Sequence, residues 1–577
     1  MPAPLIWETG ACDESAATSL ALELGVSRVV ARLLVQRGLD DPDAAARFLA
    51  PSLSHLHDPL MMADLGVAAD RLLAAIERRE PIAIHGDYDV DGITGTVILR
   101  RMLEMLGANV VHFIPDRIRD GYGLKAAAIE RLHAEGIRLI VSVDCGIRAH
   151  DAAACARSLG VDLIVTDHHE PDALVPPAVA VLDPRRSGCS YPEKHLSGAG
   201  VVLKLVQELC RRAGHEEWLP AFVKIAAIGT LADVVPLTGE NRVIAKIGLE
   251  LLSRGPHKVG LRALLDVAGL SGRRIEAHEV AFQLAPRVNA AGRMSTAEIA
   301  MRLLLASDEA MAGEARDLAE TLDAENSRRQ REERDIVDAA RRVIDTDPDV
   351  GARSVLVVAG EGWHRGVVGI VASKLVESYY RPVVVLSVDG DVAHGSCRSI
   401  AAFDMLAALE RCQEHLATFG GHRLAAGLSL ETARIKAFRN ALCELADDVL
   451  EPDDLRPRLR IDARLGFRGI DQALVDALDR MAPFGAGNPR PIFQATRVEI
   501  ADGPRRVKDR HLKMALRHQG RVFRAMAWRA VEREAFLLAN KTAVDVAFSL
   551  DRNTYNGETF LEMTVADVRA ASAEEAG

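Results

Sequence analysis

Three aspartates, Asp87, Asp89 and Asp91, fall within five residues in the stretch His85-Gly-Asp-Tyr-Asp-Val-Asp-Gly-Ile-Thr-Gly-Thr96. Ionised carboxylates this close repel one another, and burial strips them of hydration, so they call for a cation among them. A divalent metal is the economical partner; a solvated acidic turn is the plainer alternative. The spacing Asp87-x-Asp89-x-Asp91-Gly92 also matches the start of an EF-hand loop. That loop needs a bidentate Glu at its twelfth position, where this chain has Ile98. The EF-hand also needs a helix beforehand, whereas Pro81-Ile-Ala-Ile84 reads as a buried strand.

More candidate ligands follow: Asp144 in Ser142-Val-Asp-Cys-Gly-Ile147, then Asp167-His168-His169 in Thr166-Asp-His-His-Glu-Pro171, then Asp233 in Gly229-Thr-Leu-Ala-Asp-Val-Val-Pro236. Many carboxylates with one or two imidazoles and no thiolate suit Mn²⁺ or Mg²⁺ better than zinc or copper. Five or more acids neutralise two divalent ions more naturally than one. Two metals ~3.5–4 Å apart are the usual apparatus for hydrolysing phosphate esters, activating a water and steadying the leaving oxygen. An isolated His168–His169 pair would read as an ordinary polar loop. Directly after Asp167 at a strand end, it reads as part of a metal site.

The elements that must position these residues are legible as apolar runs. Ile82–Ile84, Val110–Ile114, Leu139–Val143, Leu163–Val165 and Val179–Leu182 read as strands, with helical patterns at 94–106, 125–135 and 149–159 between them. This alternation predicts an α/β fold with a doubly wound, mostly parallel sheet. Sites in such sheets lie beyond the carboxyl ends of the strands, which is where the aspartates fall. Asp144, at the third strand end, is central enough to bridge two ions.

The whole chain sets the limits. At 577 residues it exceeds one core and predicts roughly two to four domains. A net charge of −11 excludes a generally basic nucleic-acid coat, so contact with an anionic substrate must come from local basic patches or bound metals. Eight scattered cysteines with no C-x-x-C pair argue against a zinc knuckle or a disulfide framework and fit a reducing cytoplasm. No secretory leader is visible, and no apolar run approaches the ~20 residues of a membrane span, so no membrane association is expected.

Together these motifs resemble the DHH phosphoesterases, whose signature is Asp167-His168-His169, and within them the RecJ-like single-strand-specific exonucleases. GDYDVDG, SVDCGI, TDHHEP and GTLADVVPL carry the resemblance. So do Arg287-Val-Asn-Ala-Ala-Gly-Arg293, Trp363-His-Arg-Gly-Val-Val-Gly369, Ser396-Cys-Arg-Ser399 and Phe419-Gly-Gly-His-Arg-Leu-Ala-Ala-Gly427, in family order over residues 30 to 570. The resemblance implies a two-metal centre (Mn²⁺ or Mg²⁺) held by Asp87, Asp89, Asp91, Asp144, His168 and Asp233, with His169 on the scissile phosphate. His85 stays open as a ligand: related pyrophosphatases carry a metal-binding histidine at its spacing, but RecJ-like sequences often have an apolar residue there. DNA contacts are implied for Arg287, Arg293, Gly420, Gly421 and His422, and a 5′-phosphate pocket for Arg117, Ser396 and Arg398. The implied activity is 5′→3′ hydrolysis of single-stranded DNA to mononucleotides in recombination and repair. A single-stranded-DNA-binding protein and a helicase are the implied partners. A phosphodiesterase for short oligoribonucleotides or cyclic dinucleotides is the nearest alternative, and a non-catalytic DNA-binding scaffold the other. The scaffold would be expected to lose carboxylates that this chain keeps.

The expected domains are a helical cap on the following domain at 1–70, a catalytic DHH domain at 71–295, one connecting helix within 296–345, a second α/β lobe (the DHH-associated domain) at 346–450, and an OB-like β-barrel at 451–577. In the second lobe, Ser354–Ala359 and Pro382–Ser387 read as strands, and Gly366 and Gly369 open a helix that admits phosphate close to its backbone N–H groups. In the last region, short strand-like runs suit a small barrel. There Arg505, Arg506 and Lys508 begin a basic stripe in an acidic protein, a nucleic-acid signal with a solvated face as its alternative.

Overall fold

The computed structural model describes residues 5–117, 119–555 and 558–571. The outermost ends of the expected first and last domains, 1–4 and 572–577, lie outside the described residues. The chain forms two compact units: one of residues 58–233 and 248–457, the other of 5–57, 234–247 and 458 onward.

The larger unit contains two sheets. The first has five parallel strands in the spatial order Val110–Phe113, Ile82–Gly86, Leu139–Val143, Asp162–Thr166, Ala180–Leu182. Helices Ala126–Ala134 and His150–Ser158 cover one face through Ile129, Leu132, Ala152, Ala153 and Ala156. Helices Val90–Met105, Gly198–Ala213 and Leu219–Ala232 pack against one another on the other side. This is the doubly wound arrangement that the alternating apolar runs predict. Register aligns the strand ends: Gly86 pairs with Val143, Val143 with Thr166, and Thr166 with Leu182. The next residue on each strand is an aspartate: Asp87, Asp144, Asp167 and Asp183.

The second sheet runs Thr418–His422, Ala425–Glu431, Val392–Arg398, Val383–Asp389, Leu356–Glu361, with only the last pair parallel. Gly420-Gly421-His422 is part of an exposed strand. One expectation needs correction here. The connecting segment is not one helix but two, Glu298–Leu305 and Ala312–Thr346. The chain extends at Ala306, and the Asp308 side chain accepts the Ala310 N–H at 3.0 Å, capping a separate turn. The second helix has 35 residues, about 52 Å of helix, and it packs against elements of both lobes.

The smaller unit is built around a closed five-stranded barrel of Phe493–Val507, His511–His518, Arg521–Ala527, Glu558–Ala570 and Val544–Tyr555. Phe493–Val498 pairs back on Val544–Phe548 to close it. The N-terminal helices, expected as a cap on the domain that follows them, belong to this unit. Leu20, Val30, Leu33 and Leu34 share a core with Phe467, Phe493, Val498 and Leu512 of the barrel region. Strand Ile6–Thr9, which the sequence pattern does not reveal, pairs in parallel with Arg458–Ile461.

Arg242 ties the three segments of this unit together. It is 1% exposed, and its guanidinium lies 3.7 Å from the Phe48 ring centroid. It donates to the carbonyls of Phe48 at 2.8 Å, Arg480 at 2.9 Å and Ala482 at 3.1 Å. These acceptors are at helix ends that lack internal partners. Burial lowers its pKa to about 9, which leaves it charged at neutral pH. Arg242→Met should remove the planar fork and strand three carbonyls, costing about 3 kcal/mol. Urea unfolding of the parent and variant chains measures this; a loss under about 1 kcal/mol would refute the clamp.

Candidate metal centre and phosphate pocket

The carboxyl edge of the parallel sheet collects the acids. Asp87, Asp91 and Asp144 are 3%, 2% and 2% exposed. Asp89 caps the helix Val90–Met105, its Oδ1 accepting the N–H of Asp91 at 2.9 Å and of Gly92 at 3.1 Å. Asp91 accepts the Gly198 N–H at 2.5 Å and the Ala199 N–H at 3.0 Å, at the start of the next helix. Asp144 has φ +62°, a left-handed conformation costly for a non-glycine residue and common at functional sites. Asp233 ends the helix Leu219–Ala232.

His168 Nε2 sits among them, 3.1 Å from Asp144 Oδ1, 3.7 Å from Asp233 Oδ2 and 4.0 Å from Asp91 Oδ2. Three overlapping donor sets emerge: Asp87, Asp89 and Asp144; Asp91, His168 and Asp233; and Asp144, His168 and His169. Asp144 is common to the first and third of them, and His168 to the second and third. Burial, then mutual repulsion, drives the carboxyls upward: Asp87 to about 7, and Asp91 and Asp144 well above the usual range. Asp87 Oδ1 and Asp144 Oδ1 are buried and accept no hydrogen bond. Bare oxygens with hard-donor neighbours fit Mn²⁺ or Mg²⁺, and a divalent ion reverses the preference for neutral carboxyls.

Asp167, whose part in the site the ligand pattern does not show, holds His169. Its Oδ1 contacts His169 Nδ1 at 2.7 Å, and its Oδ2 accepts the Ile147 N–H at 2.9 Å. Burial alone would raise Asp167, but the bond to His169 and its charge outweigh it, leaving the carboxyl below its usual value. Burial works against His169, yet the same bond raises it to about 9. The Tyr122 hydroxyl lies 3.3 Å from His169 Nε2. Asp183 is fully buried in the same row, and burial lifts it to about 7. Asp183 could have been found from sequence by extending the strand-end rule to Val179–Leu182. Gly198 and Gly229 are needed for close approach: a Cβ would stand 2.5 Å from Asp144 Oδ1 in the first case and 2.6 Å from Asp91 Oδ1 in the second. His85 belongs to none of the three donor sets. It is buried, 3.7 Å from Cys145 Sγ, with its ring 5.4 Å from that of Phe113.

A cluster of opposite sign lies in the same unit. Arg117 stands over the ring of Tyr88, between the aspartates, at 4.8 Å. Arg398 donates to Ser396 Oγ at 3.2 Å. Burial, then the nearby charge of Arg117, lowers Arg398, and the same two causes bring Arg293 down to about 10. Arg293 also donates to the Gly366 carbonyl at 3.0 Å, joining the two lobes. Gly369, in the first turn of helix Val368–Tyr379, lies against Ser396 and Arg398; a Cβ there would lie 3.0 Å from Ser396 Oγ. Arginines that converge and repel fit an anion, with helix N–H groups adding to its field.

Not every expected contact joins these clusters. Arg287 is spent on Asp323 at 2.9 Å and on the carbonyls of Gln283 and Val267, fixing helices to one another. Gly420, Gly421 and His422 form an edge strand, where Gly421 has φ +148° and no room for a Cβ. In the smaller unit, Arg505 and Arg506 pair with Asp502 and Glu534, whereas no ion pair of Lys508 is present among the described residues.

The family profiles agree with this layout. The DHH family N-terminal domain matches residues 81–230, the DHHA1 domain 352–448 and the RecJ OB domain 461–567. The single-stranded-DNA-specific exonuclease RecJ of Bacillus subtilis is 38% identical over 89% of this chain and 64% of its own length, just under two thirds. That of Escherichia coli is 32% identical over 93% of this chain and 95% of its own. The crystal structure of RecJ with Mn²⁺ from Thermus thermophilus superposes with a TM-score of 0.83 at 33% identity, over 99% of this chain and 81% of that one. With its strand-end acids and DHH histidines in place and all three domains matched, the chain belongs to the RecJ family of DHH proteins.

Proposed function

We propose that this chain is a metal-dependent exonuclease that degrades single-stranded DNA from the 5′ end to mononucleotides. The observation that carries the reading is the convergence of six ligands, among them buried Asp87 and Asp144 oxygens that accept no hydrogen bond. The RecJ relatives of B. subtilis and E. coli are named as single-stranded-DNA-specific exonucleases, and the Thermus structure holds Mn²⁺. Asp87, Asp89 and Asp144 would hold one divalent ion, with Asp91, His168 and Asp233 holding the second and Asp144 shared between them. Two such ions supply an activated water and charge stabilisation on the leaving oxygen.

The protein groups do the rest. Asp167 fixes His169 by Nδ1, which directs Nε2 to a non-bridging oxygen of the scissile phosphate. Arg117, Ser396 and Arg398 hold the terminal 5′-phosphate, and a planar guanidinium fork suits its paired oxygens. Holding the end selects exonucleolytic cutting and sets the 5′→3′ direction. The smaller unit supplies the barrel that binds the strand, with Arg505, Arg506 and Lys508 on its surface. We place the enzyme in the cytoplasm, in recombination and repair beside a single-stranded-DNA-binding protein and a helicase. All eight cysteines are free, and no helix among the described residues is long and apolar enough to cross a membrane.

Asp144→Ala should bring hydrolysis of a labelled single strand in saturating Mn²⁺ below about a tenth of the parent rate, because the lost bridge leaves two cations repelling. An unchanged circular-dichroism spectrum shows that the fold survives; a higher residual rate rejects the bridge. Arg398→Ala should cut the preference for 5′-phosphate over 5′-hydroxyl ends about tenfold. If competition between the two ends yields the parent's ratio, the pocket does not hold the terminal phosphate.

A further inference from the structure

We infer that the barrel carries a base-stacking site for a single strand, centred on Trp528 and flanked by Lys508, Arg510, Lys513 and Arg529. The inference rests on the single-strand reading above and names where the barrel grips that strand. The hairpin between Phe493–Val507 and His511–His518 turns at Lys508 and Asp509, both with left-handed φ, and the Arg510 N–H closes it on the Val507 carbonyl at 3.3 Å. Leu512 pairs with Ala527, so the next residue, Trp528, emerges beside His511. Their ring centroids are 4.8 Å apart, edge to face. The Arg529 N–H donates to His511 Nδ1 at 3.0 Å and fixes the corner.

A lone exposed tryptophan needs no explanation, but cations adjoin this one in sequence and register: Arg529 follows it, and Lys508, Arg510 and Lys513 lie within three residues of His511 opposite. Trp528 is 56% exposed. Arg505, Arg506 and Arg517 on the same strands are paired with Asp502, Glu534 and Glu499. No such pair holds Lys508, Arg510, Lys513 or Arg529 among the described residues, and Asp509 is the one acid of the turn. An apolar protein partner would gain little from a ring flanked by four cations. A single strand uses both features, phosphates on the cations and a base on the indole. A duplex keeps its bases stacked inside, so the site also discriminates by strandedness.

The test uses the full chain without metal, a dT strand of about thirty nucleotides, and an abasic strand of equal length, long enough for several OB-type site lengths. Trp528→Ala should weaken dT binding roughly five- to a hundredfold, whereas Trp528→Phe keeps most of the affinity. The abasic strand should bind parent and Trp528→Ala alike. Lys508→Ala with Arg510→Ala should flatten the slope of log affinity against log salt by about 1.4. Equal dT affinity in parent and Trp528→Ala overturns the stacking site. So does equal dT affinity with lost binding of an acidic peptide, which would make the patch a protein dock. Hydrolysis of the dT strand by the metal-loaded parent is measured alongside. Its absence overturns the exonuclease reading, an outcome distinct from failure of the stacking site.

Discussion

Buried carboxylates that cannot all stay ionised by themselves set the terms for this fold. Two unit charges 4 Å apart interact by about 4 kcal/mol at an effective dielectric of 20, and Asp87, Asp91 and Asp144 are almost wholly removed from water. The backbone answers part of this repulsion. Asp91 takes two N–H groups from the start of helix Gly198–Ala213, and Asp89 takes two from its own helix. What remains is concentrated on Asp87 Oδ1 and Asp144 Oδ1, where cations belong. The same constraint explains Gly198 and Gly229: helices can approach the carboxylates closely only where no Cβ intervenes.

The arginine cluster is the inverse arrangement. Burial, then the charge of Arg117, lowers both Arg293 and Arg398, as burial and mutual repulsion raise the carboxyls. Arg117 on the Tyr88 ring links the two clusters, since Tyr88 lies between Asp87 and Asp89. On the function proposed above, divalent cations complete one cluster and a phosphate the other. A nucleic-acid end beside two metals satisfies both, and neither cluster has to be neutralised by a protein counter-ion that the substrate would then displace.

What the sequence shows and what it hides follow from the range of the interactions. The strand-end acids were legible because an apolar run and the residue after it are local features, and sheet register then brings Asp87, Asp144 and Asp167 together. The helix break at Ala306–Asp308 was also local, in Ser307-Asp308-Glu309, but the apolar period on either side conceals it. Strand Ile6–Thr9 could not be read at all, because its partner Arg458–Ile461 lies at the far end of the chain and a four-residue strand has no period to speak of. The same distance hid the shared core of the N-terminal helices and the barrel. Arg287 shows the limit of a motif: it stands in a family segment, yet its guanidinium is used within the scaffold.

Asp233 shows how ligand geometry and chain topology are joined. It is the last residue of the larger unit before the chain enters the smaller one at Val234. Its own N–H bonds to the Gly229 carbonyl at 2.9 Å, which ties it to the end of helix Leu219–Ala232. On the other side, the backbone runs into the segment 234–247, where the Leu237 N–H bonds to the Ala486 carbonyl at 2.7 Å and Arg242 is buried. A carboxylate at a free helix end would fray with the last turn. Here the Asp233 N–H ties that residue to the Gly229 carbonyl of the last turn. That restraint matters most for a side chain that is 31% exposed, because neighbours bury it less than they bury Asp91 or Asp144.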